Sequence, residues 1–171
     1  GSVLVTGAGE GYSFEAGAAA NTLDDYEEGS FSLAIKGTSS DPSRGAGLVT
    51  ADQGYYTKVG NRVMFSAHIE TATSGITAGS GNLYLEGLPF VSSATSLSEG
   101  NASVNYANGF LQNVGAPSHA YVNVNSNDIY LMTYDNDGGN IQDISHSSAA
   151  DIDDTNGGIV LIISGVYMTD D

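Results

Sequence analysis

Three histidines, His68, His119 and His146, are the side chains here best suited to exchange protons or hold a metal near neutral pH. None stands in an HxH or HExxH spacing, which would set two imidazoles on one face of an element. His68 falls on the polar side of a run whose other side is Val63, Phe65, Ala67 and Ile69, and reads as a surface or interface histidine. Carboxylates are far more numerous. DNDGGNIQD (135–143) has a passing likeness to a calcium loop but lacks the glycine at the sixth position and the closing bidentate glutamate, so a hairpin connection explains it better. DIDD (151–154) is denser: Asp151, Asp153 and Asp154 are candidates for a weakly bound divalent cation, with a solvated loop as the simpler reading. No other cofactor is expected. Paired carboxylates also serve glycoside hydrolysis, but that chemistry needs a separation of roughly 5–9 Å, which sequence spacing does not supply. The serines sit in Gly/Ser loops without a GxSxG elbow, and the absence of cysteine excludes thiolate chemistry. Ten tyrosines without a tryptophan, amid Asn, Ser and Gly, point instead to polar recognition, since a phenol offers a flat apolar face and a hydroxyl. Tyr55, Tyr130 and Tyr167 read as ordinary sheet residues.

The elements that must position these residues alternate at period 2. FSLAIK (31–36) puts Phe31, Leu33 and Ile35 on one face, and NLYLEG (82–87) puts Leu83 and Leu85 inward with Tyr84 outward. HAYVNVN (119–125) places Ala120, Val122 and Val124 inward and Tyr121 and Asn123 outward. In GYYTKVGNRVMFS (54–66), Gly60-Asn61 supplies a tight two-residue hairpin turn. No segment sustains a 3.6-residue period. The fold class expected is all-β, an antiparallel sandwich with jelly-roll-like connections. DIYLMTY (128–134) and IVLIISGVYM (159–168) are apolar on both faces, so Tyr130, Met132, Tyr134, Val160 and Ile162 are expected at a subunit interface.

Residues 1–28 differ from the rest, being rich in small residues and then acidic from Asp24 to Glu28; Thr22 is placed to cap a short helical turn that Gly29 would end. The expected division is a linker over 1–28 and a sandwich over 29–171. Twenty acidic residues face four basic ones, a formal charge of -16, which argues against nucleic acid and anionic membranes as partners. No stretch approaches the ~18 apolar residues of a membrane-spanning helix.

Four segments occur in an order that resembles the C-terminal head domains of bacteriophage tail fibres, a receptor-binding type common in marine phages: NTLDDYEEG (21–29), GYYTKVGNRVMFS, LEGLPF (85–90) and IISGVYM (162–168). The resemblance spans roughly residues 14 to 168. It implies a homotrimer in the virion, joined through 1–28 to an upstream fibre shaft. The trimer would bind a glycan or outer-membrane protein of the host bacterium, outside the cell and without catalysis. The family has Thr-Trp-Thr-Pro after YEEG, where this chain has Ser30-Phe31-Ser32-Leu33, so Phe31 fills an apolar slot without an indole donor. Two other readings stand beside it: a tailspike-type domain that degrades polysaccharide, and a structural trimerisation or capsid-decoration module.

Counting strand directions from the shaft end, here called proximal, sends each connection to alternate ends. The distal set then contains Ser39, Asp41, Thr73, Tyr106, Asn108, Asn125, Asn127, Asp151 and Asp153. Tyr106, Asn108, Asn125 and Asn127 are the expected receptor contacts, with Tyr106, Asn108 and Asn127 as one cluster.

Overall fold

The computed structural model describes residues 12–13, 22–23, 26–95, 100–110, 116–137, 140–152 and 157–170. Its strands are β1 (Tyr12–Ser13), β2 (Thr22–Leu23), β3 (Tyr26–Phe31), β4 (Ala34–Gly37), β5 (Val49–Val59) and β6 (Arg62–Thr71). They continue as β7 (Leu83–Glu86), β8 (Gly100–Asn108), β9 (His119–Val122), β10 (Asp128–Asp137), β11 (Asn140–His146) and β12 (Val160–Met168). Helical structure among the described residues is one 3-10 turn, Ala149–Asp151. β1 pairs with β2, and the others form one sheet in the order β3-β5-β6-β12-β8-β9-β10-β7-β4, with β11 continuing the edge of β10 beyond β7. Every pairing is antiparallel. The fold is the all-β antiparallel sandwich that the alternation implies, built as a single curled sheet.

The curl has a simple cause. FSLAIK is not one strand. β3 ends at Phe31 and β4 begins at Ala34, yet these strands lie at opposite ends of the sheet order. Three Cα–Cα steps of ~3.8 Å cannot exceed about 11 Å, so the sheet must roll until its two edges meet. The backbone N–H of Leu33, freed at the break, donates to Asp52 Oδ1 at 3.1 Å. Rolling brings the inward faces together in one core that includes Val63, Ile69, Leu83, Leu85, Val122, Ile129, Leu131, Leu161 and Ile163.

Thr22 and Leu23 are strand, and Tyr26, Glu27 and Glu28 pair with Val59, Lys58 and Thr57 as edge strand in place of the expected helical turn, while Asp24 and Asp25 lie outside the described residues. The 60–61 turn is as expected, with Val59 opposite Arg62; Gly60 takes a φ of 57° while Asn61 keeps a negative one, the pattern of a type II′ turn. Asp137 pairs with Asn140, which makes 135–143 a hairpin.

The segments that carry the resemblance converge at the proximal end. Phe31 packs at a tilt against Tyr56 and edge-on against Phe65, and the pairs Tyr56–Phe90 and Phe65–Tyr167 are also edge-on. Lys58 lies buried with its Nζ 5.4 Å from the centre of the Phe90 ring. Tyr167 ties the cluster off: its hydroxyl donates to Phe90 O at 3.1 Å and accepts from Phe90 N at 3.2 Å. Glycine is required beneath these rings, because a Cβ at Gly54 would stand 2.5 Å from Phe31 and one at Gly165 2.7 Å from Phe65.

Candidate functional site

Outward positions of neighbouring strands fall into rows, and one row is aromatic. Lys36 on β4 stands opposite Tyr84 on β7, Tyr84 opposite Tyr130 on β10, Tyr130 opposite Tyr121 on β9, and Tyr121 opposite Asn101 on β8. The three phenol rings stack in parallel. Tyr84 and Tyr130 are 5.3 Å apart at 21°, and Tyr130 and Tyr121 are 5.5 Å apart at 18°. Cross-strand aromatic pairs of this kind contribute about 0.5–1.5 kcal/mol each beyond their buried area. His146, at the end of β11, sets its ring edge-on to Tyr130 at 5.4 Å and meets the Tyr121 hydroxyl through Nε2 at 3.2 Å. Farther along the same face His119 packs edge-on against Tyr134 at 4.9 Å, its Nε2 3.3 Å from the Tyr134 hydroxyl and its Nδ1 2.9 Å from Ser118 Oγ. The result is a half-buried shelf of phenols and imidazoles, its rings held by one another and its polar atoms on the outer side of the sheet.

The electrostatics of the shelf are acidic. Glu86 follows Tyr84 by two residues on β7, and Asp128 precedes Tyr130 by two on β10; the two carboxylates face each other in register. Burial, then the fields of Asp128, Glu86 and Asp41, push the Tyr84 phenol above its ordinary pKa, with Lys36 opposing them. Lys36 is engaged by Asp41 at 2.9 Å and Glu86 at 3.6 Å. The hydrogen bond to Asp41 raises the Lys36 pKa and, with the N–H of Gly37, lowers that of Asp41. The neighbourhood can offer acceptors, hydroxyls and negative charge, and its one lysine is already paired.

The structure does not assemble the four expected receptor contacts. Tyr106 and Asn108 lie toward the distal end of β8, exposed, opposite Ile162 and Val160. Asn125 and Asn127 lie at the proximal end: Asn125 N donates to Ser93 O, and Asn127 O accepts from Gly87 N and Leu88 N. The direction count fails at one connection. β8 runs from the proximal end to Asn108 at the distal end, and β9 runs back beside it, from His119 opposite Ser103 to Val122 opposite Gly100, so β9 points the other way from the direction counted. Every end assigned after that point up to β11 is inverted. Asn125 carries a φ of 49° and shapes the turn between β9 and β10, which is a structural task.

Asp151 is buried as the third residue of a capping box: its Oδ2 accepts from Ser148 N at 3.3 Å, while Ser148 Oγ accepts from Ala150 N. Asp153 and Asp154 fall outside the described residues, among which no group of three potential ligands gathers. His68 rests 3.0 Å from Glu70 on the outer face. Of the side chains expected to need cover from another subunit, Tyr130 has both ring faces covered within the chain. Ile162, by contrast, stays exposed on the outer side of β12, between His68 of β6 and Tyr106 of β8. The stacked shelf had a partial signal in the sequence, since Tyr84 and Tyr121 both fall outward. What no local pattern carries is the register that aligns β7, β10 and β9.

This architecture is similar to that in the crystal structure of the Dettilon tailspike protein, with a TM-score of 0.60 and 23% identity over 84% of this chain. The match covers 24% of the tailspike, so the chain corresponds to a minor part of that protein's length. The likeness is one of fold. No protein-family model matches the chain, and neither does any curated protein sequence.

Proposed function

We propose that this chain is the head domain of a bacteriophage tail fibre or tailspike that attaches the virion to a receptor on the host bacterial surface, without catalysis. The observation that carries the reading is the fold shared with a tailspike. The tyrosine shelf supplies a contact surface suited to a polar ligand such as a surface glycan, and Tyr106 and Asn108 extend that surface on the same outer face. In this reading the head is a homotrimer on an upstream shaft. Three shelves per fibre multiply a weak single-site affinity.

The test is direct. The fluorescently labelled domain is incubated with a panel of candidate bacteria, beside Tyr84→Phe and Tyr121→Phe, which keep the rings and remove one hydroxyl each. Binding to a subset of strains, reduced at least about tenfold in the variants at unchanged melting temperature, is the expected result; tenfold corresponds to about 1.4 kcal/mol, within the range of one or two lost hydrogen bonds. Retention of full binding by both variants would remove the shelf from the site. New reducing ends in surface polysaccharide after incubation would favour the degrading alternative.

A further inference from the structure

We infer that the Tyr84–Tyr130–Tyr121 shelf takes an amine-bearing saccharide and discriminates against acidic ones, an inference that rests on the receptor-binding reading above. The first ground is the carboxylate pair. Glu86 and Asp128 stand directly opposite each other at the side of the stacked rings, an arrangement that costs stability between like charges. Lys36 reaches Glu86 at 3.6 Å, and among the described residues no cation pairs with Asp128. An ammonium group placed there would offset the repulsion while the neighbouring sugar hydroxyls exchange hydrogen bonds with the phenols and with Asn101 across the row.

The second ground is that the chain has no lysine or arginine to spare for an anionic ligand on the shelf. Its four basic residues are all placed. Lys36 is paired with Asp41. Arg44 is turned to its own loop, donating to Ser74 O at 2.7 Å and to Gly47 O at 3.2 Å. Lys58 is buried against Phe90. Arg62 begins β6, three strands from the β9 that carries Tyr121, or about 14 Å along the sheet at ~4.8 Å per strand. A uronate or phosphorylated sugar set beside Glu86 and Asp128 would meet carboxylates and no lysine or arginine free to pair with it. The ammonium of an amino sugar at the same place meets the two carboxylates as acceptors.

The experiment is calorimetric titration of the whole domain with three tetrasaccharides: β-1,4-linked glucosamine with free amines, its fully N-acetylated counterpart, and galacturonate. The expected order is glucosamine at least tenfold tighter than the N-acetylated form, with no measurable binding of galacturonate, and the preference should shrink as salt is added. The double variant Glu86→Gln/Asp128→Asn keeps the side-chain shapes and is expected to abolish the preference without lowering the melting temperature. Asp128→Asn alone, which leaves the Lys36–Glu86 pair intact, should reduce it. Equal or weaker binding of the free-amine tetrasaccharide, or a preference that survives the double variant, overturns the inference. Bacteria bound by the parent domain and lost by Tyr121→Phe, with no amine preference in the titrations, would overturn this inference while leaving the receptor-binding reading intact. A parent domain that binds no strain would count against that reading itself.

Discussion

Tyr167 shows how much one hydroxyl can hold. Its ring lies in the proximal aromatic cluster and its oxygen closes a two-way bond with the backbone of Phe90, fixing the LEGLPF segment against the last strand. Burial pushes its pKa well up, so the folded chain holds this proton more tightly than the unfolded chain does. The stabilisation is therefore whole below the ordinary tyrosine value of about 10 and is lost as the pH climbs past it toward the folded value. Tyr167→Phe is expected to cost about 1–3 kcal/mol near neutral pH, because Phe90 N–H and C=O lose their partner, and to make the alkaline fall in stability shallower. Urea melts near pH 7 and about pH 11 compare the two proteins; a variant as steep as the parent would assign the alkaline fall to other groups. Ser147 is the opposite case. Its hydroxyl is buried and, among the described residues, is the side-chain polar atom left without a hydrogen-bond partner. Ser147→Ala should therefore be neutral or stabilising by up to about 1 kcal/mol, and a loss of more than that by thermal melt would reveal a partner for the hydroxyl.

Strands were largely legible from alternation, because inward Leu83 and Leu85 or Val63, Phe65 and Ile69 leave little choice of face. The break between β3 and β4 was not, since Phe31, Leu33 and Ile35 keep their period straight through it; only the long-range pairing of β3 with β5 and β4 with β7 reveals two strands. The candidate site was hidden for a related reason. Tyr84 and Tyr121 were visible as outward residues, but their adjacency depends on Tyr130 pairing with both, and Asn127 was placed wrongly by one miscounted connection. Close strand packing makes its own prediction at this scale. Gly165→Ala sets a Cβ against the Phe65 ring and the Asn101 carbonyl and is expected to destabilise by about 1–3 kcal/mol. Gly45→Ala, where a Cβ meets nothing within 4 Å, is the control and should stay within about 0.5 kcal/mol. Equal melting temperatures for the two would mean that the ring over Gly165 moves aside freely.

Across the whole molecule, net charge governs association. At -16 per chain, the proposed trimer gathers three times that charge, -48, into one particle. Screening shortens the reach of this repulsion, from about 30 Å at 0.01 M salt to a few Å at seawater strength, so trimer stability is expected to rise with added salt. Sedimentation equilibrium across that range checks it, and an association constant indifferent to salt would show the carboxylates too dispersed to matter. The order of strands also sets a timetable. β12, the last of the described strands, lies between β6 and β8, with Val160 opposite both Glu70 and Asn108. While the ribosome is still translating the preceding residues, β6 and β8 have each made one edge and lack their shared neighbour. The sheet cannot close until the codons of β12 have been read, and until then two long edges stand open to other nascent chains. A chain terminated after Ile159 is accordingly expected to accumulate in inclusion bodies, and supplying residues 160–170 as a separate peptide during refolding should recover soluble protein.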